Sequence, residues 1–496
     1  MLPLLTIFTL AQTVSAPFPP PPLSPNSPPA KIAPPSKKAI PPQENIPPQD
    51  SLKPQEVLQI QEVFQPQELR PLPGKLDAVP VFNSNSPELV QSEGILLSTF
   101  PPDGMRVASA HLSFPFKGRF DIFSHHISRA ANSSQTRSLF QGILLYNPTD
   151  QIIKVDVLQG ATYLTRPDAL FVELPPYVED PLGKVYAGPG SRAMNDVLRG
   201  KRQGGIPPML LIPPRGTQML MNLPIPVGNL TPSSNGRSSL FRLWSSGPVY
   251  IASLAMFAPH NPDGSERVPS LEEWQAFLVN SGLAGPRDIA PTPIQQQQSY
   301  ANIIYGRVAG VAVGSEWLAN VTDSSKVDYL SVPKRGQAFS YGLSTLYRGT
   351  FGTGQVQSAK LLVRYPDTAY QANGNYGIQY SLTLPLYNKT GQKQTVTVAI
   401  QTPLKEDKVK GGLLFFKPPE GRIFFRGPVR LRYKDDEGNT LTRYIHLILQ
   451  RGQEGEPLVT LTMPPGTRRT VQIDLLYPPD STPPQVLTVR SMPSNP

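Results

Sequence analysis

The fold is decided by residues 429–449, which read VRLRYKDDEGNTLTRYIHLIL. Hydrophobic and polar residues alternate on both sides of the acidic run at 435–438, and this alternation is the period of a half-buried β-strand. Gly438 can supply the positive φ that a tight turn between two strands requires. The stretch therefore predicts a β-hairpin whose acidic tip is solvated.

The same alternation recurs along the chain in short segments that Gly, Pro, Asn and Asp residues separate. Clear examples are IIKVDVL at 152–158, VTVAI at 396–400 and VQIDL at 471–475. Short alternating strands with turn residues between them are typical of β-sandwiches and barrels. The expected fold class is therefore all-β.

Two parts of the chain share a partial repeat. LYNPTDQ at 145–151 corresponds to LYNKTGQ at 386–392, and IPPRGT at 212–217 corresponds to MPPGT at 463–467. The order of strand, Asn-x-Thr turn, strand and Pro-Pro-Gly turn resembles that of immunoglobulin-like sandwiches. We expect two tandem immunoglobulin-like β-sandwich domains, at 76–262 and 331–496. Independent use of the same turn chemistry is the alternative explanation.

A connector at 263–330 is expected to hold one short helix, at 271–281. Ser270 and Glu273 have the spacing of a capping box, and Leu271, Trp274 and Leu278 form an apolar stripe at helical spacing. Trp274 is expected to be a core residue, because large aromatic side chains are mostly buried.

The amino-terminal part has a different composition. Residues 1–16 read MLPLLTIFTLAQTVSA, which has the length and the small terminal residues of a signal peptide. Residues 17–75 are rich in proline, which blocks strand pairing, and we expect a disordered linker there. A spacer is the simpler interpretation, and a proline-motif ligand for a partner domain is the alternative.

Composition excludes several classes of function. The 496 residues include no cysteine, so disulfides, Cys-ligated zinc, iron–sulfur clusters and thiol nucleophiles are excluded. The absence of cysteine favours a bacterial envelope over an animal extracellular space. No apolar run approaches the ~20 residues that a membrane helix needs, so the protein is not expected to span a membrane.

No catalytic, cofactor or metal motif is recognisable in the sequence. Adjacent residues on a strand point to opposite faces, so His125 and His126 cannot chelate one ion together. We therefore predict no catalytic residue, no cofactor and no metal. A carbohydrate-active enzyme resembling glycoside hydrolases remains the alternative, because its two carboxylates can be far apart in sequence.

The net charge of +10 is concentrated in two stretches, at 184–202 and 405–451. In the first, a Gly-Pro-Gly-Ser-Arg run leads into an expected short helix, and backbone N–H groups at a helix start can hold an anion. A capped helix on a loop is the alternative. The candidate anion-binding residues are Gly188, Gly190, Ser191, Arg192, Arg199, Lys201 and Arg202.

Several stretches resemble a conserved-domain family of secreted cyanobacterial proteins. The similarity begins at LPG (72–74), PVFNSNSPE (80–88) and EGILL (93–97), and continues at RFDIF (119–123), LYNP (145–148) and GPG (188–190). The leader departs from this pattern, since no basic residue precedes its apolar run. The resemblance implies a protein of the periplasm or cell envelope, and the family supplies no catalytic residues.

Together these observations predict a non-catalytic structural or binding protein that is exported to the periplasm or cell envelope. Its expected partner is an anionic polymer of the wall or outer membrane, or an envelope protein, because basic surfaces attract anionic polymers. Nucleic acid is not an expected partner of an exported protein.

Overall fold

Strands make up almost all of the regular structure in residues 59–132, 134, 136–299 and 301–493, which the computed structural model describes. The predicted all-β class is confirmed at this level. The predicted signal peptide at 1–16 and most of the predicted linker lie outside the described residues. Two helices, Ser191–Leu198 (α1) and Leu271–Asn280 (α2), and two 3-10 turns, Ala108–Ala110 and Ile294–Gln296, complete the described elements.

The strands are numbered in chain order. They are β1 Gln61–Pro66, β2 Glu68–Arg70, β3 Lys75–Leu76, β4 Pro80–Ser84, β5 Leu89–Val90, β6 Gly94–Ser98, β7 Phe116–Arg129, β8 Leu139–Tyr146, β9 Ile153–Leu164, β10 Tyr177–Glu179, β11 Met209–Ile212, β12 Thr217–Ile225, β13 Ser234–Phe257, β14 Ala309–Val313, β15 Glu316–Asn320, β16 Leu330–Ser331, β17 Ala338–Leu343, β18 Ala359–Arg364, β19 Gln371–Ala372, β20 Gln379–Tyr387, β21 Gln394–Gln401, β22 Gly412–Lys417, β23 Glu420–Lys434, β24 Thr440–Arg451, β25 Val459–Met463, β26 Arg468–Leu476 and β27 Gln485–Ser491.

These strands form sheets that face one another. The largest has 12 strands and follows the order β11-β9-β13-β7-β4-β14-β18-β19, with β5, β6, β8 and β12 attached to it. An eight-stranded sheet follows β10-β24-β23-β26-β20-β15-β3, with β16 attached, and a five-stranded sheet follows β2-β17-β27-β21-β25. Strands β1 and β22 form a separate pair.

The eight- and five-stranded sheets share one hydrophobic core. Val471 and Ile473 of β26 belong to the same buried cluster as Val396 and Val398 of β21. In each strand these residues are two positions apart, so the alternation seen in the sequence directs one face of each strand into the core. The arrangement is sandwich-like.

The predicted hairpin is confirmed. Strands β23 and β24 pair antiparallel from Val429 opposite Ile445 to Lys434 opposite Thr440. Gly438 has a φ of 91°, and its N–H donates to the carbonyl oxygen of Asp435 at 3.1 Å.

The first copy of the partial repeat is a closed hydrogen-bond network around Asn147. Its Nδ2 donates to the carbonyl oxygens of Gln151 at 2.6 Å and Ile212 at 3.1 Å. Its Oδ1 accepts from both the N–H and the hydroxyl of Thr149 at 2.8 Å. One amide side chain thus joins the Asn-x-Thr turn to the Pro-Pro turn that follows Ile212.

The second copy has the same network around Asn388. Its Nδ2 donates to the carbonyl oxygens of Gln392 at 2.8 Å and Met463 at 2.7 Å, and its Oδ1 accepts from the N–H and hydroxyl of Thr390 at 2.9 and 2.6 Å. The flanking strands also correspond, because β8 pairs with β12 and β9 with β11, whereas β20 pairs with β26 and β21 with β25. The repeat therefore extends from sequence to pairing pattern.

Helix α2 begins at the expected capping box. The Ser270 hydroxyl accepts from the N–H of Glu273 at 3.2 Å, and the Glu273 carboxylate accepts from the N–H of Ser270 at 2.8 Å. Trp274 is fully buried, and its Nε1 donates to Asn222 Oδ1 at 3.1 Å. The expectation that Trp274 is a core residue is confirmed.

The boundary of the predicted disordered linker at 17–75 needs correction. Residues 61–66 pair antiparallel with β22, and Glu68 of β2 pairs in parallel with Phe339 of β17. Leu72 is 1% exposed and belongs to the main core. Proline is compatible with this arrangement because Pro66 is the last residue of its strand and β1 lies in a two-stranded pair, where a missing N–H donor costs little.

Residues Leu58–Pro496 form one compact unit. The 12-stranded sheet runs from β7 and β4 through β14, in the predicted connector, to β18 and β19 of the predicted second domain. The division into two immunoglobulin-like domains stays a prediction. Within the described residues, no helix is long and apolar enough to cross a membrane.

Candidate ligand-binding cleft

Helix α1 begins at the predicted anion-binding loop. Gly188 and Gly190 both have a positive φ, of 77° and 75°, and both are buried. A Cβ at Gly190 would lie 2.4 Å from Cδ of Pro479, and one at Gly188 would lie 2.7 Å from both Arg426 and Asp480. Backbone conformation and close packing therefore both require glycine at these positions.

Three basic residues of this stretch, Arg192, Arg199 and Lys201, have acidic partners. Arg192 lies 3.5 Å from Asp168, and its guanidinium stacks on the ring of Tyr163 at 4.2 Å. Lys201 lies 3.4 Å from Asp196. These contacts neutralise part of the charge that the sequence suggested was free.

Among the basic residues of the predicted set, Arg199 has the least exposed side chain. Its guanidinium lies 3.2 Å from the Asp180 carboxylate and 3.8 Å from the centre of the Tyr444 ring. Arg202 is exposed, and its Nη1 lies 3.4 Å from the carbonyl oxygen of Val157. Anion binding by Gly188, Gly190, Ser191, Arg192, Arg199, Lys201 and Arg202 stays a prediction.

A cleft lies next to this loop, because Gly188 and Gly190 pack against Asp480 and Pro479 of its lining. It has a volume of 790 Å³, within the usual size range of ligand sites. Most of its lining comes from residues within 83–89, 286–289, 304–308, 372–376 and 479–483, and Leu346, Lys405 and Ile423 complete it. The first of these segments begins at the end of β4 and the last connects β26 to β27, so strands of three sheets hold the walls.

Backbone pairing positions the first wall. Asn83 of β4 pairs opposite Gly310 of β14, and the N–H of Asn85 donates to the carbonyl oxygen of Val308 at 2.8 Å. On the facing side, the Tyr376 hydroxyl donates to the carbonyl oxygen of Ser481 at 2.9 Å. The lining is therefore attached to paired strands.

The lining concentrates buried polar atoms that have no hydrogen-bond partner among the described residues. They are Asn83 Oδ1, Asn85 Oδ1, Arg287 Nη1, Ser481 Oγ and Asp480 Oδ2, the last of which has only an ion pair with Arg426. Asn83, Asn85 and Ser481 are each at most 5% exposed. Buried polar groups without partners cost folding free energy, so their grouping around one cleft indicates a surface for a polar ligand.

Glu88 supplies a negative charge to the cleft. Its Oε1 lies 3.5 Å from Nε2 of His125, and its other oxygen forms an ion pair with Arg307. Burial alone would raise the pKa of this carboxyl, but the contacts with His125 and Arg307 lower the pKa to about 2. Glu88 is therefore ionised at neutral pH.

Asp480 has the opposite shift in the same cleft. Burial raises the pKa of its carboxyl above the ordinary value, against the lowering effect of Arg426 and His125. Nε of Arg426 lies 3.3 Å from Asp480 Oδ2. Two carboxyl groups of one cleft thus have environments that separate their pKa values.

His125 connects the cleft to the interior. Its Nδ1 lies 2.9 Å from the hydroxyl of Ser238, which is 1% exposed. His126 points to the other face, where its ring nitrogens lie 2.9 Å from Ser84 Oγ and 2.8 Å from the carbonyl oxygen of Pro87. The described residues contain no group of three or more His, Asp or Glu that could hold a metal ion.

The comparison with protein families shows which family the chain belongs to. A family model described as "Protein of unknown function (DUF3370)" matches residues 67–491. The chain belongs to the DUF3370 family. The predicted resemblance to an uncharacterised conserved-domain family is confirmed to that extent. No curated protein matches this DUF3370 chain.

Solved structures align along much of the DUF3370 chain with low similarity. The coconut allergen cocosin is 10% identical with a TM-score of 0.09, and the alignment covers 81% of this chain and 85% of that one. Procruciferin, an 11S globulin from Brassica napus, is 10% identical with a TM-score of 0.10, covering 84% and 85%. A Bacillus subtilis oxalate decarboxylase mutant is 8% identical with a TM-score of 0.09, covering 81% and 78%. TM-scores this low do not establish a shared fold.

Sequence reasoning missed the cleft because its walls are far apart in the chain. Glu88 and Asp480 are separated by almost the whole described sequence and carry no motif. The one available signal was the NSNSPE run at 83–88, where polar residues follow a short apolar strand. The predicted Gly188 and Gly190 lie next to the cleft, because they pack against Asp480 and Pro479.

Proposed function

We propose that this DUF3370 protein is a non-catalytic binding protein of the periplasm or cell envelope. Its cleft would take a hydroxyl-rich, anionic component of the wall or outer membrane. The leader-like residues 1–16 support export, and the net charge of +10 supports an anionic partner.

One observation carries the proposal, namely the grouping of partnerless buried polar atoms around the cleft. Amide oxygens accept hydrogen bonds, a guanidinium donates them, and a serine hydroxyl does both, so the lining offers both kinds of group. Hydroxyl groups of a saccharide likewise donate and accept. Mixed charge from Glu88, Asp288 and Arg307 also favours a polar ligand over an apolar one.

Binding to solubilised bacterial cell-wall polymer on a sensor surface tests the proposal. We expect Ser481→Ala to weaken binding about fivefold, because one hydrogen bond contributes about 0.5–1.5 kcal/mol. Thr345→Val is the matched control, since Thr345 Oγ1 is also buried without a partner but does not line the cleft. Attraction between exposed charges is screened by salt, so binding should also weaken as salt rises.

Equal binding by Ser481→Ala and the unchanged protein would contradict the assignment of the cleft. Absence of binding to any wall or outer-membrane polymer at low salt would contradict the function itself. Neither variant should lower the unfolding midpoint, because neither removed hydroxyl donates or accepts within the described residues and a buried hydroxyl without a partner does not stabilise the fold.

The two-sandwich organisation is part of the same proposal. We infer that 76–262 and 331–496 are related immunoglobulin-like sandwiches. The matching networks of Asn147 and Asn388, with matching strand pairs around them, support this inference. In that arrangement, the cleft draws on residues of both copies and of the connector.

A second function, glycoside hydrolysis, is favoured by the opposed pKa shifts of Glu88 and Asp480. Glycosidases pair a protonated carboxyl, which donates its proton to the leaving oxygen, with an ionised one that attacks or activates water. Asp480 would be the acid and Glu88 the ionised partner, and each cleavage would consume one water molecule.

Release of new reducing ends from the same polymer decides between the two functions. Cleavage that Asp480→Asn and Glu88→Gln both abolish would establish the hydrolase and contradict a non-catalytic role. Salt-sensitive binding with no new reducing ends, even after prolonged incubation, would contradict the hydrolase.

A further inference from the structure

A second cavity adjoins the cleft at Lys405 and Thr482, which line both. This cavity has a volume of 550 Å³. Lys405 follows β21, and the opposite wall comes from β22 and from β23 and β24. The two cavities are therefore neighbours that share one lysine.

Three cationic side chains line this second cavity, namely Lys405, Arg422 and Arg451. Both guanidinium groups approach a single carboxylate, since Arg451 lies 2.5 Å and Arg422 lies 3.6 Å from Glu420. Lys405 has no ion pair among the residues that the structure describes. The cluster thus holds more cations than nearby paired carboxylates.

Aromatic rings orient the two arginines. The Arg451 guanidinium lies 5.4 Å from the ring centre of Phe416, and that of Arg422 lies 5.3 Å from the ring centre of Phe424. Stacking on a ring face restricts the side chain while its N–H groups stay available at the edge. The rings therefore restrict the guanidinium groups without occupying donors, and Glu420 contacts only Nη1 of Arg451 and Nε of Arg422.

The charges acting on Lys405 are both positive. Burial lowers its pKa to about 8, and Arg422 and Arg451 lower the pKa in the same direction. Glu62 and Glu406 line the cavity but are exposed, and neither opposes this shift. An anion placed among the three cations would relieve their mutual repulsion.

We propose that Lys405, Arg422 and Arg451 form an oxyanion site that receives the carboxylate or sulfate group of a ligand whose saccharide part occupies the adjoining cleft. The claim that a saccharide occupies the adjoining cleft rests on the proposed function. The oxyanion site is inferred independently, from the three cations and the cavity that they line. It gives the anionic partner a defined position, distinct from the predicted loop at 188–192.

Isothermal titration calorimetry with two probes tests the site. Sodium sulfate probes the oxyanion site alone, and an oligogalacturonate is compared with its methyl ester, which keeps the sugar chain and removes the charge. We expect the charged oligosaccharide to bind about tenfold more tightly than the ester, as one charge-assisted hydrogen bond allows. Lys405→Gln should remove that preference and weaken sulfate binding.

Lys408→Gln is the matched control, because Lys408 is an exposed lysine three residues away and does not line either cavity. Sulfate and galacturonate keep their charge between pH 7 and 9, whereas a lysine with a pKa near 8 loses its proton there. Affinity should therefore fall over this range. Lys405→Arg should retain binding and flatten the pH profile, because arginine stays protonated.

The outcomes separate this inference from the proposed function. Equal effects of Lys405→Gln and Lys408→Gln on sulfate would overturn the oxyanion site, and so would a pH profile that Lys405→Arg leaves unchanged. If the ester and the charged oligosaccharide bind equally well and Ser481→Ala weakens both, the oxyanion site is overturned, but the assignment of the cleft as a saccharide site stands. Lys405-dependent sulfate binding without any saccharide binding would keep the site and overturn the proposed function.

Discussion

At the scale of single residues, burial determines how the two adjacent histidines behave. His126 is fully buried, and burial lowers its pKa to about 3 from the ordinary 6.5, with His125 adding to the effect. Its neutral ring lies against Ser84 and the carbonyl oxygen of Pro87. The unfolded chain therefore binds a proton at a higher pH than the folded chain does.

We predict that the protein loses stability as pH falls from about 6.5 towards 3. In this window the unfolded state holds the extra proton, and one such group costs about 1.4 kcal/mol per pH unit. His126→Gln should reduce the slope of unfolding free energy against pH by about that amount, measured by urea unfolding between pH 6 and 4.

His260→Gln is the control for this experiment, because His260 is exposed. It should leave the slope unchanged. Buried His446, whose pKa burial lowers to about 4, would retain its own share of the acid sensitivity in both variants. A His126→Gln variant with the full original slope would show that His126 is protonated in the folded protein.

At the scale of elements, the Asn-x-Thr turns hold successive strands together, and at Asn388 these strands belong to two different sheets. Asn388 donates and accepts within one closed network, and its side chain is fully buried. Removing it would leave buried carbonyl and N–H groups without partners, which costs about 1–3 kcal/mol for each group.

We predict that Asn388→Ala and Asn147→Ala each destabilise the fold by about 3 kcal/mol in urea unfolding, because the two networks match. Asn388→Asp keeps the accepting oxygen but places a buried carboxylate oxygen against the carbonyl oxygens of Gln392 and Met463, so it should destabilise the fold at least as much as Asn388→Ala. Lys393→Ala, an exposed change in the same turn, should have almost none. Unequal losses at Asn147 and Asn388 would contradict the equivalence of the two turns.

Local patterns were sufficient to predict the elements that depend on neighbouring residues. The hairpin at Gly438, the capping box at Ser270 and the repeated turns all use partners close in sequence or repeated within it. The cleft depends on long-range packing instead, since Asn83 reaches it through β14 and Ser481 through the β26–β27 connection. The hydrophobic pattern of a single segment cannot predict which distant segments pack together.

The predicted anion-binding loop at 188–202 also shows that local features can be predicted from the sequence, whereas contacts between distant segments cannot. The sequence indicated correctly that a short helix follows the glycines of this run, although the helix already begins at Ser191, before the expected start after Arg192. It could not indicate that Asp180 and Tyr444 would enclose Arg199, because both partners lie on other segments. Charge counted along a chain therefore overestimates charge available at a surface.

At the scale of the whole molecule, the first ordered strands decide where the folded unit begins. Strand β1 pairs with β22 over six residues, from Gln61 opposite Lys417 to Pro66 opposite Gly412. Strand β2 pairs with β17, and Arg70 stacks on the ring of Phe339 at 4.0 Å. Without residues 61–70, both neighbouring strands would lose their backbone partners on one side.

We predict that limited proteolysis trims the chain to a fragment that begins near residue 59, because strand pairing within the described residues begins at Gln61. A chain starting at residue 59 should melt at the temperature of the full protein. A chain starting at residue 71 should melt at a lower temperature, by about 1 °C for each kcal/mol lost in a unit of this size, since exposing two strand edges and the ring of Phe339 costs more than about 1 kcal/mol. Equal melting temperatures for the two shortened chains would show that β1 and β2 do not stabilise the folded unit. A first proteolytic cut near residue 70 would lead to the same conclusion.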